Sequence, residues 1–308
     1  MKKESGFALV ITLIITALLV AVAVEFIHDV YVETSLSRSY ADGQQASLMA
    51  DSGVNGGIKL LQTVLAGQEY SSLLDRWAMP LEIEDDRGQL RVEITDESGK
   101  LNLNSIVFTN GEANEPFYSL VPRLCRNLKL PAELRDTAAD WIDENDEPHP
   151  GGAETSYYQS LPIPYRAKNA AFDTFDELRM VNGFDEKTLK TLSTFVTAYI
   201  DVTGAPFSRI NVNTAPRELL AVLDENMNDD LAGRIMEYRK TKPIKSPAEI
   251  SRISGLETIG IGLQGKIGVK GTVYRIFSRA TVNETIRIVE ALVRIDGLKP
   301  AILYWREI

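Results

Sequence analysis

The sequence predicts an α+β protein in which a long N-terminal helix precedes two groups of β-strands that flank a mostly helical block. Three observations predict this class. Residues 7–24 carry no charge, and no proline occurs in residues 25–66. Apolar and polar residues alternate near both ends of the remaining chain, as strands require, whereas residues 106–270 are rich in helix signals. The length of 308 residues suggests about two folded units.

The composition excludes several classes of protein. There are 33 Lys and Arg residues against 43 Asp and Glu residues, a net charge of −10. This acidic balance argues against a general nucleic-acid binder, which needs Lys and Arg to neutralise phosphate. The single cysteine, Cys125, excludes an internal disulfide and a multi-cysteine zinc site. Two histidines leave little room for histidine-based catalysis.

The first helix begins as an N-terminal apolar segment, residues 7–24, long enough to span a bilayer. Lys2 and Lys3 precede it, which predicts that the chain start stays in the cytoplasm. Two simple interpretations are a cleaved secretory signal, with residues 21–23 resembling a small-residue cleavage site, and an uncut signal anchor.

A third interpretation rests on the position of Gly6-Phe7 directly before the apolar segment. The segment resembles type IV prepilins and pseudopilins, which carry a short charged leader that ends in Gly. In that family a prepilin peptidase cuts after this Gly and the apolar helix is kept. The resemblance therefore implies that Phe7 becomes the new N-terminus, with methylation as part of the same processing.

The fifth residue after this cleavage point is Ile11, where most pilins and pseudopilins have Glu. In the family that carboxylate is thought to face the terminal amine of a neighbouring subunit. A charge buried in lipid or in a helix bundle is tolerated only when it is paired. A subunit at the filament tip has no subunit beyond it, and the missing Glu resembles the K-type minor pseudopilins of type II secretion systems.

The helix is predicted to continue to about residue 66, although Gly53, Gly56 and Gly57 weaken it locally. The predicted strands cover residues 81–84, 89–94, 101–104, 274–282, 285–295 and 301–305. Strand signals thus lie on both sides of the helical block.

Two short segments of the helical block, residues 175–184 and 247–256, form a weak repeat in which Gly183 and Gly255 follow a short helix. This pattern is typical of helix-hairpin-helix units, where Gly adopts the sharp turn. The Asn-x-Asn-Thr-Ala sequence at residues 211–215 resembles the start of such units in some DNA-binding proteins. Residues 216–252 nevertheless have no net charge, so we favour helix packing and protein contact over DNA binding.

An acidic segment at residues 131–160 holds eight acidic side chains and one Arg. Clustered carboxylates repel one another unless a cation lies among them, and oxygen ligands suit Ca²⁺. Counted from Asp143, the loop partly resembles an EF-hand, with Asn145, Glu147 and Glu154 at positions three, five and twelve, but a proline occupies position six. The alternatives are a solvated acidic loop and a metal-dependent hydrolytic site in a membrane-anchored enzyme.

A longer set of residues around this segment resembles the K-type minor pseudopilins. It comprises Asp140-Trp141, Asp143, Asp146, Gly151-Gly152-Ala153-Glu154, Tyr157-Tyr158, Leu161-Pro162, Pro164-Tyr165 and Lys168-Asn169. The resemblance implies that calcium binds here. Helical spacing places Asp140 and Asp143 on one face at a helix end. Asp146 and Glu154 are expected to fold back and complete the site, and Asn145 is a further candidate.

The resemblance extends over nearly the whole chain and implies a pilin-like fold, with the long helix packed on a small antiparallel sheet. Its expected parts are a leader at residues 1–6, a transmembrane and amphipathic helix at 7–66, strands at 67–105 and 271–308, and an inserted helical domain at 106–270. The implied function is that of a structural, non-enzymatic minor pseudopilin at the pseudopilus tip. It would help to initiate assembly and support the export of folded proteins across the outer membrane.

The same resemblance implies a location in the bacterial inner membrane, with the soluble part in the periplasm. Its implied partners are the I- and J-type minor pseudopilins and the prepilin peptidase, and no nucleic acid is expected. A minor pilin of a type IV pilus-like system for DNA uptake or adhesion is the alternative.

Overall fold

A computed structural model describes residues 4–200, 208–296 and 299–308 of the chain. The helices in these ranges are α1 (Glu4–Leu65), α2 (Glu115–Tyr118), α3 (Leu120–Leu128), α4 (Leu134–Ile142), α5 (Thr155–Gln159), α6 (Glu186–Leu192), α7 (Arg217–Leu220), α8 (Asp229–Thr241) and α9 (Ile259–Leu263). The strands are β1 (Leu81–Asp85), β2 (Gly88–Asp96), β3 (Leu101–Asn102), β4 (Val196–Thr197), β5 (Ile210–Asn211), β6 (Ile267–Gly268), β7 (Val273–Val282), β8 (Thr285–Arg294) and β9 (Ala301–Glu307).

Five strands form one antiparallel sheet in the order β1-β2-β7-β8-β9. The C-terminal half of α1 packs on one face of this sheet, where Val54 and Leu61 join Ile276, Ala291 and Val293 in a buried apolar core. The N-terminal half of α1 is exposed and is long and apolar enough to cross a membrane. The predicted α+β class, with a long helix packed on an antiparallel sheet, is confirmed.

Two glycines allow α1 to lie close to the sheet. A Cβ atom on Gly53 would lie 2.9 Å from Val92 Cγ2 and would overlap Ser278 Oγ, whereas a Cβ atom on Gly57 would lie 3.1 Å from Ile276 Cγ2. The glycines that weaken the helix in isolation therefore improve its tertiary packing.

The remaining helices and short strands form an insert between β2 and β7, with an apolar core of its own. The turns of the sheet lie beside the middle of α1, because Gln45 Nε2 donates to Arg87 O at 2.7 Å and Asn283 Nδ2 donates to Asp42 Oδ2 at 2.9 Å. The chain enters and leaves the insert at the opposite end of the sheet. The insert and the apolar half of α1 thus lie at opposite ends of the sheet.

A buried polar junction connects the sheet to the insert. Asp96, at the end of β2, accepts hydrogen bonds from Ser98 N at 2.9 Å, Asn211 Nδ2 at 2.7 Å and Thr214 Oγ1 at 2.7 Å. Asn211 Nδ2 also lies 3.1 Å from Ser71 Oγ, in the segment that follows α1. Burial raises the pKa of Asp96 to about 6, although these hydrogen bonds act in the opposite direction.

The junction explains the Asn-x-Asn-Thr-Ala sequence of residues 211–215. Besides the contacts of Asn211 and Thr214, Asn213 Nδ2 donates to Ile244 O at 2.9 Å, and Asn213 Oδ1 accepts from Ile244 N at 2.8 Å. These side chains therefore hold the insert together and fix it to the sheet.

In the two hairpin segments, Gly183 and Gly255 adopt φ values of +87° and +85°, as the helix-hairpin-helix pattern predicts.

A pair of glycine substitutions tests the packing of α1. We expect Gly53→Ala to destabilise the protein by about 1–3 kcal/mol, because its methyl group overlaps Ser278 and Val92. Gly56 has no atom within 4 Å of its added Cβ, so Gly56→Ala should stabilise the helix by roughly 0.5–1 kcal/mol. Thermal melting of both variants measures the difference, and equal melting temperatures would contradict this packing.

Candidate metal centre

Two carboxylates of the acidic segment lie at the C-terminal end of α4. Asp140 is in its last turn, and Asp143 is its C-cap residue, with Asp143 N donating to Ala139 O at 3.0 Å. Both side chains are fully buried. The C-terminus of a helix carries partial negative charge, so the helix itself disfavours two carboxylates at this end.

The loop after α4 brings a third carboxylate to this pair. Asn145 Oδ1 accepts from Glu147 N at 2.7 Å, which forms a tight turn, and the chain returns through Gly151, at φ +97°. A Cβ atom on Gly152 would overlap the carboxylate of Asp140, so only glycine fits there. Glu154 follows as the buried N-cap residue of α5.

His149 also belongs to the cluster. Ligand atoms of Asp140, Asp143 and His149 all lie within 4.8 Å of one another. His149 Nδ1 lies 2.5 Å from Asp140 Oδ1 and 4.0 Å from Asp143 Oδ2. His149 is not among the ligand residues that the sequence predicts, because a histidine between two prolines carries no metal-binding pattern.

The predicted ligand residues thus occupy different positions. Asp140, Asp143 and Glu154 are each buried. Glu154 lies outside the group of Asp140, Asp143 and His149 whose ligand atoms are within 4.8 Å of one another, but it is close enough for the charges of both aspartates to act on it. Asp146 is exposed, although it is close enough to raise the pKa of Glu154. Asn145 is half-buried, and its side-chain oxygen accepts the hydrogen bond of the loop turn.

Several oxygens of the buried carboxylates have no hydrogen-bond partner among the described residues. Among the residues that the structure describes, Asp140 Oδ2, Asp143 Oδ2 and both carboxylate oxygens of Glu154 have no hydrogen bond. Burial, followed by the charges of Asp140, Asp143 and Asp146, raises the pKa of Glu154 to about 7. Burial also raises the pKa of Asp143, and the charge of Asp140 acts in the same direction. Unpaired buried charges are strongly destabilising.

These atoms fit a hard divalent cation such as Ca²⁺, which takes six to eight oxygen ligands. Asp140, Asp143 and Glu154 would supply the oxygens that have no other partner, and the ion would neutralise them. A nitrogen ligand suits Zn²⁺ and other transition metals better than Ca²⁺. His149 contacts Asp140 Oδ1 and so supports that carboxylate, and the four oxygens without a hydrogen bond are those that such an ion would take.

An aromatic cluster supports the centre from the other side of α4. The ring of Trp141 packs edge-on against Tyr158 at 5.2 Å and stacks with Phe172 at 6.5 Å. Trp141 Nε1 donates to Glu177 Oε1 at 2.8 Å, and Tyr165 OH donates to Met180 O at 2.7 Å. These motif residues fix the helix and loop that carry the carboxylates.

The chain matches two family models. Residues 99–201 match the first-domain model described as "Type II secretion system (T2SS), protein K", and residues 210–270 match a second model with the same description. The type II secretion system protein K of Pseudomonas aeruginosa is 29% identical over 267 residues, which cover 82% of this chain and 77% of the relative. That of Pectobacterium carotovorum subsp. carotovorum is 30% identical over 229 residues, covering 69% of this chain and 67% of the relative.

A similar fold occurs in a chain of the crystal structure of the GspK-GspI-GspJ complex from enterotoxigenic Escherichia coli. The TM-score is 0.71 at 19% sequence identity, and the match covers 88% of this chain and 98% of that chain. At this identity the likeness shows that the fold is shared.

The response of stability to calcium tests the centre. At about 100 times its dissociation constant, a ligand of the folded state adds about 2.7 kcal/mol of stability. We therefore expect a higher melting temperature in calcium than in chelator, and expect Glu154→Gln to abolish this difference. In chelator, Glu154→Gln should melt no lower than the wild type, because it removes one unpaired buried charge.

The matched control is Glu147→Gln, the same change at an exposed position of the same loop. It should keep the calcium response. A wild type whose melting temperature is the same in calcium and in chelator would leave only the solvated acidic loop.

Proposed function

The chain belongs to the type II secretion system protein K family and is a minor pseudopilin of that system, and we propose that it occupies the tip of the pseudopilus. The observation that carries this proposal is the position of the insert. It lies at the end of the sheet opposite the apolar half of α1. A bulky domain at that end would clash with a further subunit in a tightly wound filament, whereas a terminal subunit has space for it.

The residue at position 11 supports the same placement. Ile11 lies within the exposed apolar half of α1, where most pilins and pseudopilins carry Glu. A terminal subunit has no neighbour beyond it whose amine needs that carboxylate. An apolar side chain avoids the cost of an unpaired charge in the membrane or in a helix bundle.

The first step in the life of the protein is cleavage by a prepilin peptidase between Gly6 and Phe7, with methylation of the new N-terminus. The retained apolar half of α1 anchors the chain in the inner membrane. The sheet and the insert lie in the periplasm, where the protein helps to initiate pseudopilus assembly and supports the export of folded proteins across the outer membrane.

Its partners are the I- and J-type minor pseudopilins, as the GspK-GspI-GspJ complex of the structurally similar chain suggests. The protein acts structurally and not as an enzyme. Its carboxylate cluster binds Ca²⁺, and the ion stabilises the loop between α4 and α5. The turn at Asn145 and the packing of Trp141 against Tyr158 hold this loop around the carboxylates.

Processing has a direct test. N-terminal sequencing of the membrane-extracted protein should start at Phe7, with residues 7–24 retained. Gly6→Ala should still be cut, whereas Gly6→Lys should leave the leader attached. A mature protein that starts at Val24, after residues 21–23, would show that a conventional signal peptidase acts and would contradict the pilin-type processing.

The tip position is tested through Ile11. We expect Ile11→Glu to reduce secretion, because it places a charge where no partner amine lies and costs a few kcal/mol unless it is protonated or reaches water. Ile11→Leu is the control and should secrete normally. Secretion assays should be combined with crosslinking of the assembled pseudopilus, in which the protein should be found at one end. Normal secretion by Ile11→Glu, with the protein crosslinked between major subunits, would contradict the proposal.

A further inference from the structure

The two edges of the five-stranded sheet differ in chemistry. The edge strand β1 carries Glu82, Glu84 and Asp85 along its length. Charges at a sheet edge are a common device that prevents another strand from pairing with it. The opposite edge strand, β9, has the sequence Ala-Ile-Leu-Tyr-Trp-Arg-Glu, and its charged residues lie only at its C-terminal end. Each of the two strands directly follows a proline, Pro80 or Pro300.

The edge at β9 exposes apolar side chains. Ile302, Trp305 and Ile308 are 54%, 38% and 58% exposed. The register pairs Ile302 with Val293 and Trp305 with Ala291, both of which lie in the core beneath α1. Ile302 and Trp305 therefore point to the side of the sheet that α1 covers, and they extend the apolar core outward past the flank of the helix.

The backbone of β9 is also arranged to accept a further strand. Ile308 N donates to Ile288 O at 2.8 Å, and Ile288 N donates to Ile308 O at 3.3 Å. Hydrogen-bonded pairs alternate along an antiparallel ladder, so the Arg306 amide points to β8 and the Trp305 and Glu307 amides point outward. Within the described part of the chain, β8 is the only strand that pairs with β9.

Two carboxylates of like charge lie beside this edge. Glu307, at the end of β9, acts on Asp51 of α1, and burial together with this like charge raises the pKa of Asp51. Among the described residues, Glu307 forms one ion pair, with Arg287 Nε at 3.6 Å, and its side chain remains 47% exposed at the end of the edge strand. Its carboxylate is therefore open to a Lys or Arg of a partner that pairs with β9.

We propose that β9 pairs with an extended segment of another pilin-type subunit, which places apolar side chains against Ile302 and Trp305 and a Lys or Arg against the exposed carboxylate of Glu307. Addition of a strand to an open sheet edge is a recurrent mode of protein recognition. A second copy of this chain that used β1 would bring Glu82 and Glu84 to the same carboxylates and would be repelled. The proposal rests on the proposed function, because the I- and J-type minor pseudopilins are the candidate subunits.

The test measures binding of the full-length protein to its co-expressed I- and J-type minor pseudopilins. We expect the pair of changes Ile302→Ala and Trp305→Ala to weaken the complex roughly tenfold or more, and Glu307→Lys to weaken it as well. Ile83→Ala and Glu84→Lys make similar changes on the β1 edge and should bind like the wild type. Each variant should remain folded at the temperature of the binding assay, which its melting curve checks.

A further comparison isolates the backbone pairing. Glu307→Gln and Glu307→Pro both remove the carboxylate, but only proline also removes the outward amide hydrogen. Strand pairing predicts weaker binding by Glu307→Pro than by Glu307→Gln. Equal affinity for this pair would overturn the pairing of strands.

Three further outcomes distinguish the proposal for β9 from the proposed function. If the wild type binds the I- and J-type subunits and the β9 variants bind equally well, the proposal for β9 is wrong while the proposed function stands. If the wild type binds neither subunit, both proposals are wrong. Dimers of this chain that the β9 variants abolish would assign the edge to a second copy and overturn the proposal.

Discussion

The architecture of residues 134–182 depends on three buried carboxylates that, among the described residues, form no ion pair with a Lys or Arg. Asp140, Asp143 and Glu154 are buried, and four of their six oxygens have no hydrogen-bond partner among the described residues. Such a group is destabilising by several kcal/mol unless a positive charge lies within it. The surrounding sequence is consistent with that requirement, since glycine is the only residue that fits at position 152 beside the carboxylate of Asp140. A cation bound there, as proposed, would convert the main destabilising feature of the insert into the contact that fixes its loop.

Buried polar contacts also connect the sheet to the insert. Asp96 receives three hydrogen bonds at the junction of sheet and insert, and Arg306 of β9 lies 2.8 Å from both Asp176 of the insert and Glu290 of β8. The insert is therefore attached firmly at one end of a pilin-type sheet. The other end of the sheet faces the apolar helix. This polarity gives the minor pseudopilin a helix that is long and apolar enough to cross a membrane at one end and a broad domain at the other, which is the arrangement that the proposed terminal position needs.

Sequence patterns predicted best what depends on local chemistry. The strands predicted at residues 274–282 and 285–295 match β7 and β8 to within a residue, and the apolar and proline-free segment that begins after Gly6 matches α1. The K-type resemblance was confirmed by the family comparisons. The block of residues 106–270 is not helical throughout, because Val196 and Thr197 pair in parallel with Leu101 and Asn102. A strand partner almost a hundred residues away leaves no local signal. His149 was missed for a related reason, since its approach to Asp140 depends on how the loop folds back.

The central claim is that a hard cation lies among the buried carboxylates, and its most direct measurement is calcium binding itself. Equilibrium dialysis of the mature full-length protein against calcium-45 counts the bound ions without reference to stability or secretion. We expect at least one ion per wild-type chain and loss of that ion in Asp140→Asn, because this substitution removes a carboxylate whose Oδ2 atom has no hydrogen-bond partner among the described residues. Absence of bound calcium in the wild type, or unchanged binding in Asp140→Asn, would contradict it.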